Sequence, residues 1–564
     1  VPDRNYDFTV PLVRALALGG VSHACITPGS RSTPLALALA TEAGINDWPH
    51  LDERSAAFFA LGIGRATGLP AVAVCTSGTA AAEFLPAAVE ARHGRVPLIL
   101  ITADRPADLR SVGAPQTIDQ AGMYGQAVKW THDLEPPGPG EASPGLPGAL
   151  AARLITTALE PPAGPVHLNL RFREPLVPRG DTEPPASPPP LVLRGRVEPS
   201  EEAVDRLASL LAGRRALLVC GPQDDPALPQ AAAALAAAGA LPITADPLSG
   251  VRCGPHDRSR VIAPADPLAV AGWLDKAPPE LVVRVGALPT SKALWRWLGD
   301  HPEVPQVLID PAGWRDPAAT TALMVRADPA ATLAAVAAAA PRPAPEEWLG
   351  AWRQAAQAAA AAIQQVLHSA PFPNEPRTAQ ILAEAMPAGS WLVVASSMPV
   401  RDVDAFFPTA PSPLRILGNR GAAGIDGFLS TGIGVAAVSG APTYLLSGDL
   451  SALHDLTALA TAARLGLPAT VVVVHNDGGG IFHFLPQADL PSFERHWGAS
   501  HGLDFVQLAS ALGVAAARAE HPRELEAAVA GPPPAPQLVE VRTDRAANAA
   551  LHRALQEAVA ASLP

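Results

Sequence analysis

Short apolar, β-branched runs alternate with longer Ala/Leu-rich stretches along nearly the whole chain, and this alternation limits the possible folds more than any other feature. Parallel strands need crossover connections of helical length. Strand–helix–strand repetition therefore predicts an α/β fold of doubly wound parallel sheets. In the first part, residues 21–27, 71–76, 97–102 and 166–170 read as strands, with helices expected at 34–43, 55–64 and 80–92. The middle part repeats the theme at 216–220, 241–245, 281–285 and 306–309. The last opens on a long helix, 345–369, and continues with strands at 391–395, 443–447, 469–475 and 537–541.

A proline-rich tract at 184–190 and a proline cluster at 341–345 interrupt the pattern. Proline withholds an N–H and favours extended backbone, so both are expected to link domains. The chain has 564 residues, too many for one core at about 150 residues per domain. Three domains are expected, at 1–182, 191–342 and 346–564, and the Pro/Gly-rich 136–148 is expected to be a loop within the first.

Hydrophobic residues make up 48% and charged residues 17% of the chain, which fits large buried cores and not a disordered chain. A formal net charge of −12 argues against nucleic acid as a partner. Cys25, Cys75, Cys220 and Cys253 show no Cys-x-x-Cys spacing, so buried free thiols in a reducing cytoplasm are expected. Residues 1–14 lack a basic-then-apolar leader, and the uncharged stretches are broken by Pro, Gly and polar residues. The expectation is a soluble cytoplasmic protein with no membrane span.

The segment from Gly448 to Phe482 carries the most chemistry. Residues 443–447 read as a buried strand ending in Gly448-Asp449; a helical segment, 450–464, leads to the strand 469–475 and then Asn476-Asp477-Gly478. Open parallel sheets bind ligands beyond the carboxyl ends of their strands, which places Asp449 and Asn476 on neighbouring strand ends. A diphosphate held by Mg²⁺ (or Mn²⁺) needs hard oxygen ligands, which Asp449, the Asn476 side chain and the Gly478 carbonyl can supply. Ser451 and Ala452, at the start of the following helix, are expected to offer N–H groups to phosphates, and Gly448 before them is also expected to bind the cofactor. Gly-Asp followed one helix later by Asn also resembles the metal motif of thiamine diphosphate (ThDP) enzymes.

In such enzymes a carboxyl in a sheltered pocket hydrogen-bonds the cofactor's aminopyrimidine and drives it to its imino tautomer. Glu53 in Asp52-Glu53-Arg54, just before an apolar helix, is the expected catalytic carboxyl. Thr76, Ser77 and Gly78 form the turn expected beside the pyrimidine.

Six motifs resemble one family as a set. They are Ile26-Thr27-Pro28-Gly29-Ser30-Arg31-Ser32-Thr33-Pro34, Leu51-Asp52-Glu53-Arg54, Thr102-Ala103-Asp104-Arg105-Pro106, Ser396-Ser397-Met398-Pro399-Val400-Arg401-Asp402, Gly418-Asn419-Arg420-Gly421-Ala422-Ala423-Gly424-Ile425-Asp426-Gly427 and Gly448-Asp449-Leu450-Ser451-Ala452-Leu453-His454-Asp455-Leu456. The family is that of the 2-succinyl-5-enolpyruvyl-6-hydroxy-3-cyclohexene-1-carboxylate synthases (the MenD family). The resemblance is dense in the first and last domains and thin in the middle one.

It implies a pyrimidine-binding domain, a central domain and a diphosphate-binding domain. It implies a transferase of menaquinone biosynthesis that decarboxylates 2-oxoglutarate and adds the resulting carbanion conjugately to isochorismate. It also implies a homodimer or homotetramer with the cofactor at the subunit interface. Both substrates are dicarboxylates, which guanidinium groups bind bidentately, and Arg31, Arg105, Arg401 and Arg420 all stand in glycine- or proline-flanked loops. By motif, Ser30, Arg31, Arg105, Gln116, Lys292, Ser397, Arg401 and Arg420 line the substrate site. Ile425 supports the cofactor beneath its thiazolium, and Ile481, Phe482 and Leu485 form its apolar wall. Some members carry a second basic residue directly after the position of Lys292, where this chain has Ala293. His454, His475 and His483 are assigned packing or hydrogen-bonding roles.

Two other readings stay open on the sequence. Another ThDP 2-oxoacid lyase or ligase would share Glu53 and the Asp449/Asn476 pair without needing so many arginines. A non-catalytic, cofactor-binding homologue differs only in lacking turnover.

Overall fold

The computed structural model describes residues 3–138, 140–178, 186–410 and 412–564. The expected boundary at 182 and the start of the 184–190 tract lie outside these residues, while 186–200 runs without regular secondary structure.

Among the described residues, eighteen strands form three six-stranded sheets, and every strand pairing is parallel. The first holds β1 (His23–Ile26), β2 (Asn46–Pro49), β3 (Ala71–Cys75), β4 (Leu98–Asp104), β5 (Thr131–Leu134) and β6 (Pro165–Arg171), in the order β2-β1-β3-β4-β6-β5. The second holds β7 (Ala216–Cys220), β8 (Ile243–Ala245), β9 (Val261–Ile262), β10 (Leu281–Val285), β11 (Gln306–Ile309) and β12 (Thr321–Val325), in the order β12-β11-β10-β7-β8-β9. The third holds β13 (Trp391–Val394), β14 (Arg415–Leu417), β15 (Thr443–Gly448), β16 (Thr470–His475), β17 (Ala515–Arg518) and β18 (Gln537–Arg542), in the order β14-β13-β15-β16-β18-β17.

The expected α/β class of three parallel sheets is therefore what the chain forms. The first and third sheets share one winding. In each, the chain lays its second strand on one side of the first and its third on the other. That reversal opens a crevice at the carboxyl ends of β1 and β3 and of β13 and β15, where doubly wound sheets bind ligands.

The chain packs as two compact units. The first comprises Val1–Gly195, Asn419–Gly440 and Leu453–Leu467; the second comprises Arg196–Gly418, Ala441–Ala452 and Pro468–Pro564. In the first unit, the helix Phe428–Val438 crosses the helix Glu53–Thr67 at close range. A Cβ on Gly62 would lie 2.1 Å from the Thr431 carbonyl oxygen, and one on Gly434 would lie 2.2 Å from that of Phe59. No larger residue fits at either position without spreading the pair.

Two expected helices are broken, each for a local reason. The 80–92 stretch divides into Thr79–Ala82 and Leu85–Gly94 because Pro86 has no N–H to give the Ala82 carbonyl. The 450–464 stretch divides into Asp449–His454 and Thr457–Leu465. Between them the buried Asp455 carboxylate accepts hydrogen bonds from Ser430 N (2.6 Å), Ser430 Oγ (2.9 Å) and Ser55 Oγ (3.3 Å). Burial pushes Asp455 up to about 6.

All four cysteines are free and buried. Among the described residues no helix is long and apolar enough to cross a membrane.

Candidate active site

The predicted residues fall into two groups, one in each unit. In the first unit Ser30, Arg31, Thr76, Ser77, Gly78 and Arg105 follow the carboxyl ends of β1, β3 and β4, which are neighbours in the sheet. Chain leaving β1 turns through Gly29 and the exposed Ser30 to Arg31. The Arg31 guanidinium donates to the Phe172 carbonyl (2.9 Å) and pairs with Glu174 at 3.2 Å. After β3, the Thr76 Oγ1 is buried without a hydrogen-bond partner, and Ser77 accepts a hydrogen bond from Arg105, the residue that follows β4. Burial, then the nearby charge of Arg31, bring the Arg105 guanidinium below its ordinary range. Two cations held this close favour an anionic ligand.

Gln116 joins the group with its backbone in the left-handed region, at φ 55°. Its Nε2 donates to the Ser77 carbonyl (3.0 Å), while Gly78 N donates to Gln120 Oε1 (2.8 Å). Glu53 is half-buried at the first position of the helix Glu53–Thr67. The Asp52 side chain caps that helix by accepting from Ser55 N (3.2 Å).

Arg420 and Ile425, both half-buried, lie on the loop before Phe428–Val438. Glu90, which sequence reasoning had passed over, holds this loop. Its carboxylate accepts from Gly421 N (2.8 Å) and Ala422 N (2.7 Å) and lies 3.6 Å from the Arg65 guanidinium.

In the second unit, Asp449 directly follows β15 and is 2% exposed. One oxygen accepts from Leu450 N (2.6 Å); the other accepts from Asn476 N (3.1 Å) and Gly478 N (2.9 Å). The three predicted metal residues are thus drawn together across the adjacent strands β15 and β16. Gly478 is at φ +135°, where a Cβ would lie 1.9 Å from the Gly498 carbonyl oxygen, so only glycine makes this turn. Asn476 Nδ2 donates to Glu375 Oε1 (2.9 Å), and Asn476 Oδ1 is buried without a hydrogen-bond partner. A bare amide oxygen beside a buried carboxylate fits a hard divalent cation, because cations need acceptors and no donors.

His501, another residue the motifs did not show, lies with its Nε2 3.5 Å from Asp449 Oδ2. Asp449, His475 and His501 bring ligand-type atoms within 4.8 Å of one another. However, His475 Nδ1 is engaged with Glu540 (2.5 Å), and His501 Nδ1 accepts from Leu503 N (3.1 Å). The remaining Nε2 of His501 is buried without a hydrogen-bond partner.

Ser397 follows β13 in the left-handed region, at φ 74°, a conformation that costs energy in any residue but glycine. Arg401 Nη1 donates to its carbonyl (2.5 Å). Lys292 is exposed at the start of the helix Lys292–Asp300. Its neighbour Ser291 donates to Asp266 (2.6 Å), whose carboxyl is raised by burial against the nearby charges of His552, Arg401 and Arg252. Ile481, Phe482 and Leu485 are half-buried along and just after the short helix Gly480–Phe484. His454 and His483 are engaged as packing or hydrogen-bonding groups: His454 Nδ1 lies 3.3 Å from Arg54, and His483 meets Phe493 edge-on at 4.7 Å.

The carboxyl end of β16 is also braced by charge. Burial pushes Glu540 up, but hydrogen bonds from His475, Arg518 (2.7 Å) and Arg542 (3.0 Å) outweigh it and hold the carboxyl at about 2, below its ordinary 4.5. A carboxyl depressed in this way stabilises the fold above pH 4.5 and loses that contribution as pH falls toward 2. Glu540→Gln should lower Tm at neutral pH by about 2–4 °C or more and flatten its fall on acidification. A Tm–pH curve that superimposes on wild type would remove Glu540 from the linkage.

Two parallel sheets of identical winding, one with arginines and a helix-start glutamate at its strand ends and one with an Asp/Asn/Gly cradle, define a thiamine pyrophosphate enzyme. Two family models agree. Residues 9–123 match the N-terminal TPP binding domain of thiamine pyrophosphate enzymes, and residues 401–541 match the C-terminal TPP binding domain. The chain belongs to the family of 2-succinyl-5-enolpyruvyl-6-hydroxy-3-cyclohexene-1-carboxylate synthases. It is 42% identical to the synthase of Geobacillus kaustophilus over 98% of this chain and 97% of that protein. It is 43% identical to that of Chloroflexus aurantiacus over 98% and 96%, and 40% identical to that of Myxococcus xanthus over 98% and 97%.

Proposed function

We propose that this protein is a ThDP-dependent transferase that decarboxylates 2-oxoglutarate and joins the succinyl-semialdehyde carbanion to isochorismate. The product is 2-succinyl-5-enolpyruvyl-6-hydroxy-3-cyclohexene-1-carboxylate, in menaquinone biosynthesis. The observation that carries the reading is that Arg31, after β1, and Arg105, after β4, stand at strand ends separated only by β3, with the charge of Arg31 close enough to lower Arg105. A site for acetolactate-type chemistry on pyruvate has no use for that many cations, whereas two dicarboxylates do.

When bound, ThDP supplies the nucleophilic carbon and the sink for the electrons released on loss of CO₂. The protein's own residues do the rest. Glu53 holds a proton at its carboxyl against the cofactor's pyrimidine, with Thr76, Ser77 and Gly78 beside it. Gly448, Ser451 and Ala452 face the diphosphate, and Asp449, Asn476 and the Gly478 carbonyl hold Mg²⁺ (or Mn²⁺). Ile425, Ile481, Phe482 and Leu485 exclude water from the thiazolium. Ser30, Arg31, Arg105, Gln116, Lys292, Ser397, Arg401 and Arg420 bind and orient the two substrates.

The domains that carry this work are 1–182, 191–342 and 346–564, in a cytoplasmic homodimer or homotetramer with each cofactor at a subunit interface. The Asp449 cradle lies in one unit and Glu53 in the other.

The test is isochorismate consumption by the purified protein with Mg²⁺ and ThDP, with and without 2-oxoglutarate. Loss that needs both 2-oxoglutarate and ThDP supports the reading. Turnover of pyruvate alone would replace it with another 2-oxoacid lyase, and cofactor binding without any turnover would replace it with a binding homologue. Arg401→Ala and Arg420→Ala should each lower kcat/KM for the substrates by about 10–100-fold and leave ThDP affinity nearly unchanged. Loss of ThDP binding alone would move these arginines out of the substrate site.

A further inference from the structure

Glu375 has no place in the motifs, yet it touches the cradle. It opens the helix Glu375–Ala385, behind Asn374, whose side chain caps Arg377 N (2.8 Å), and ahead of Pro376. It is 2% exposed. Its Oε1 accepts from Asn476 Nδ2 (2.9 Å) and from Thr543 Oγ1 (3.2 Å). An Asn side chain has two chemically opposite ends, and only its hydrogen-bond partners decide which way each one points. Glu375 Oε1 accepts from Nδ2, so the amide nitrogen faces Glu375 and the oxygen faces away. That oxygen is the buried atom left without a partner, and Asp449 Oδ2 meanwhile fixes the Asn476 backbone through its N–H.

We infer that Glu375 is a positioning residue for the cation site: it locks the Asn476 amide so that its oxygen, and not its nitrogen, faces the divalent ion. The inference rests on the reading of Asp449, Asn476 and Gly478 as that site. A flipped amide would present two N–H groups to a cation, so the orientation decides whether the site binds at all. Groups that orient a metal ligand commonly account for about 10–100-fold in metal affinity.

The test is Mn²⁺ binding to the full-length protein with saturating ThDP, followed by electron paramagnetic resonance, together with Tm measured without metal. Glu375→Met, which fills the volume but accepts nothing, should weaken Mn²⁺ binding by at least about 10-fold. Glu375→Gln, whose amide oxygen still accepts from Asn476, should stay within about 3-fold of wild type. Unchanged affinity in Glu375→Met overturns the inference. So does equal weakening in both variants, because the acceptor survives in one of them. If Glu375→Met does not fold, Glu375→Asp draws the carboxylate back by one methylene and should weaken binding by about 3-fold or more; wild-type affinity there overturns the inference equally. Asp449→Ala is the control for the site itself. If Mn²⁺ binding survives that change, the cation-site reading fails; if binding depends on Asp449 but ignores Glu375, only the present inference fails.

Discussion

Glu53→Gln should yield a folded protein that binds ThDP and turns over about 10²–10⁴-fold more slowly, the range of a lost acid–base group. The substitution is close to isosteric, and the helix that carries residue 53 does not depend on its charge. Asp52 provides the cap through Ser55 N, and glutamine is nearly as good a helix former as glutamate. Losing one acid from a first turn costs about 0.3–1 kcal/mol, small beside the packing beneath. There Ser55 Oγ bonds Asp455, and the Gly62/Gly434 crossing leaves the helix no room to shift. The side chain at 53 is therefore presented from a fixed platform, and the change is confined to whether its end can hold and yield a proton. An amide cannot. The measurement pairs kcat from isochorismate loss with ThDP affinity from calorimetry. Wild-type kcat would take Glu53 out of the mechanism, and loss of ThDP binding with normal Tm would make it a binding group instead.

Which strands could be read from the sequence follows a physical rule. All twelve strands expected from the sequence are present, and six more appear in the fold: β2, β5, β9, β12, β14 and β17. Each of these six lies at an edge of its sheet. An interior strand of a doubly wound sheet is covered on both faces, so it reads as an unbroken apolar run, as in β4 or β16. An edge strand is partly open to water. Asn46–Pro49 and Ala515–Arg518 are largely exposed or half-exposed and carry no such run.

The site divides in a similar way. Asp449, Asn476, Arg31 and Arg105 could be found because polar residues directly after apolar strands are unusual and carry chemistry. Glu375, Glu90, Asp266 and His501 could not. Asn374-Glu375-Pro376 looks like an ordinary helix start, and only the tertiary fold brings Glu375 to Asn476. Glu90 lies within an unremarkable helical turn, 331 positions from the N–H group of Gly421 that it holds.

Arg252→Met should produce the largest loss of stability of any substitution considered for this chain. Arg252 is 0% exposed and spends its guanidinium entirely on the protein. Nε and Nη2 donate to the Ala245 carbonyl (3.1 and 2.7 Å), and Nη2 also donates to Asp404 Oδ1 (2.9 Å). Nη1 reaches the carbonyls of Val403 (3.0 Å), Asp404 (2.8 Å) and Phe407 (3.3 Å). The last three close the carboxyl end of the helix Met398–Phe406, where orphan carbonyls and the helix dipole both favour a cation. Ala245 ends β8, so one side chain fastens the second sheet to the helix that carries Ser397 and Arg401. Methionine reaches only as far as the arginine Nε and donates nothing, leaving buried carbonyls bare and the Asp404 carboxylate without its counter-charge. Breaking a buried pair from one side costs about 3–5 kcal/mol, or a Tm lower by roughly 5–10 °C or more for a unit of this size. Asp404→Asn keeps an acceptor for Nη2 and leaves every carbonyl partner in place, so its effect should be clearly smaller. Scanning calorimetry of the two variants beside wild type decides the matter. An Arg252→Met protein within about 2 °C of wild type would mean that the helix end is held by its packing and not by the guanidinium. If Tm falls as expected, the surviving folded fraction should also show a raised substrate KM, because a loosened Met398–Phe406 no longer holds Arg401 in one place.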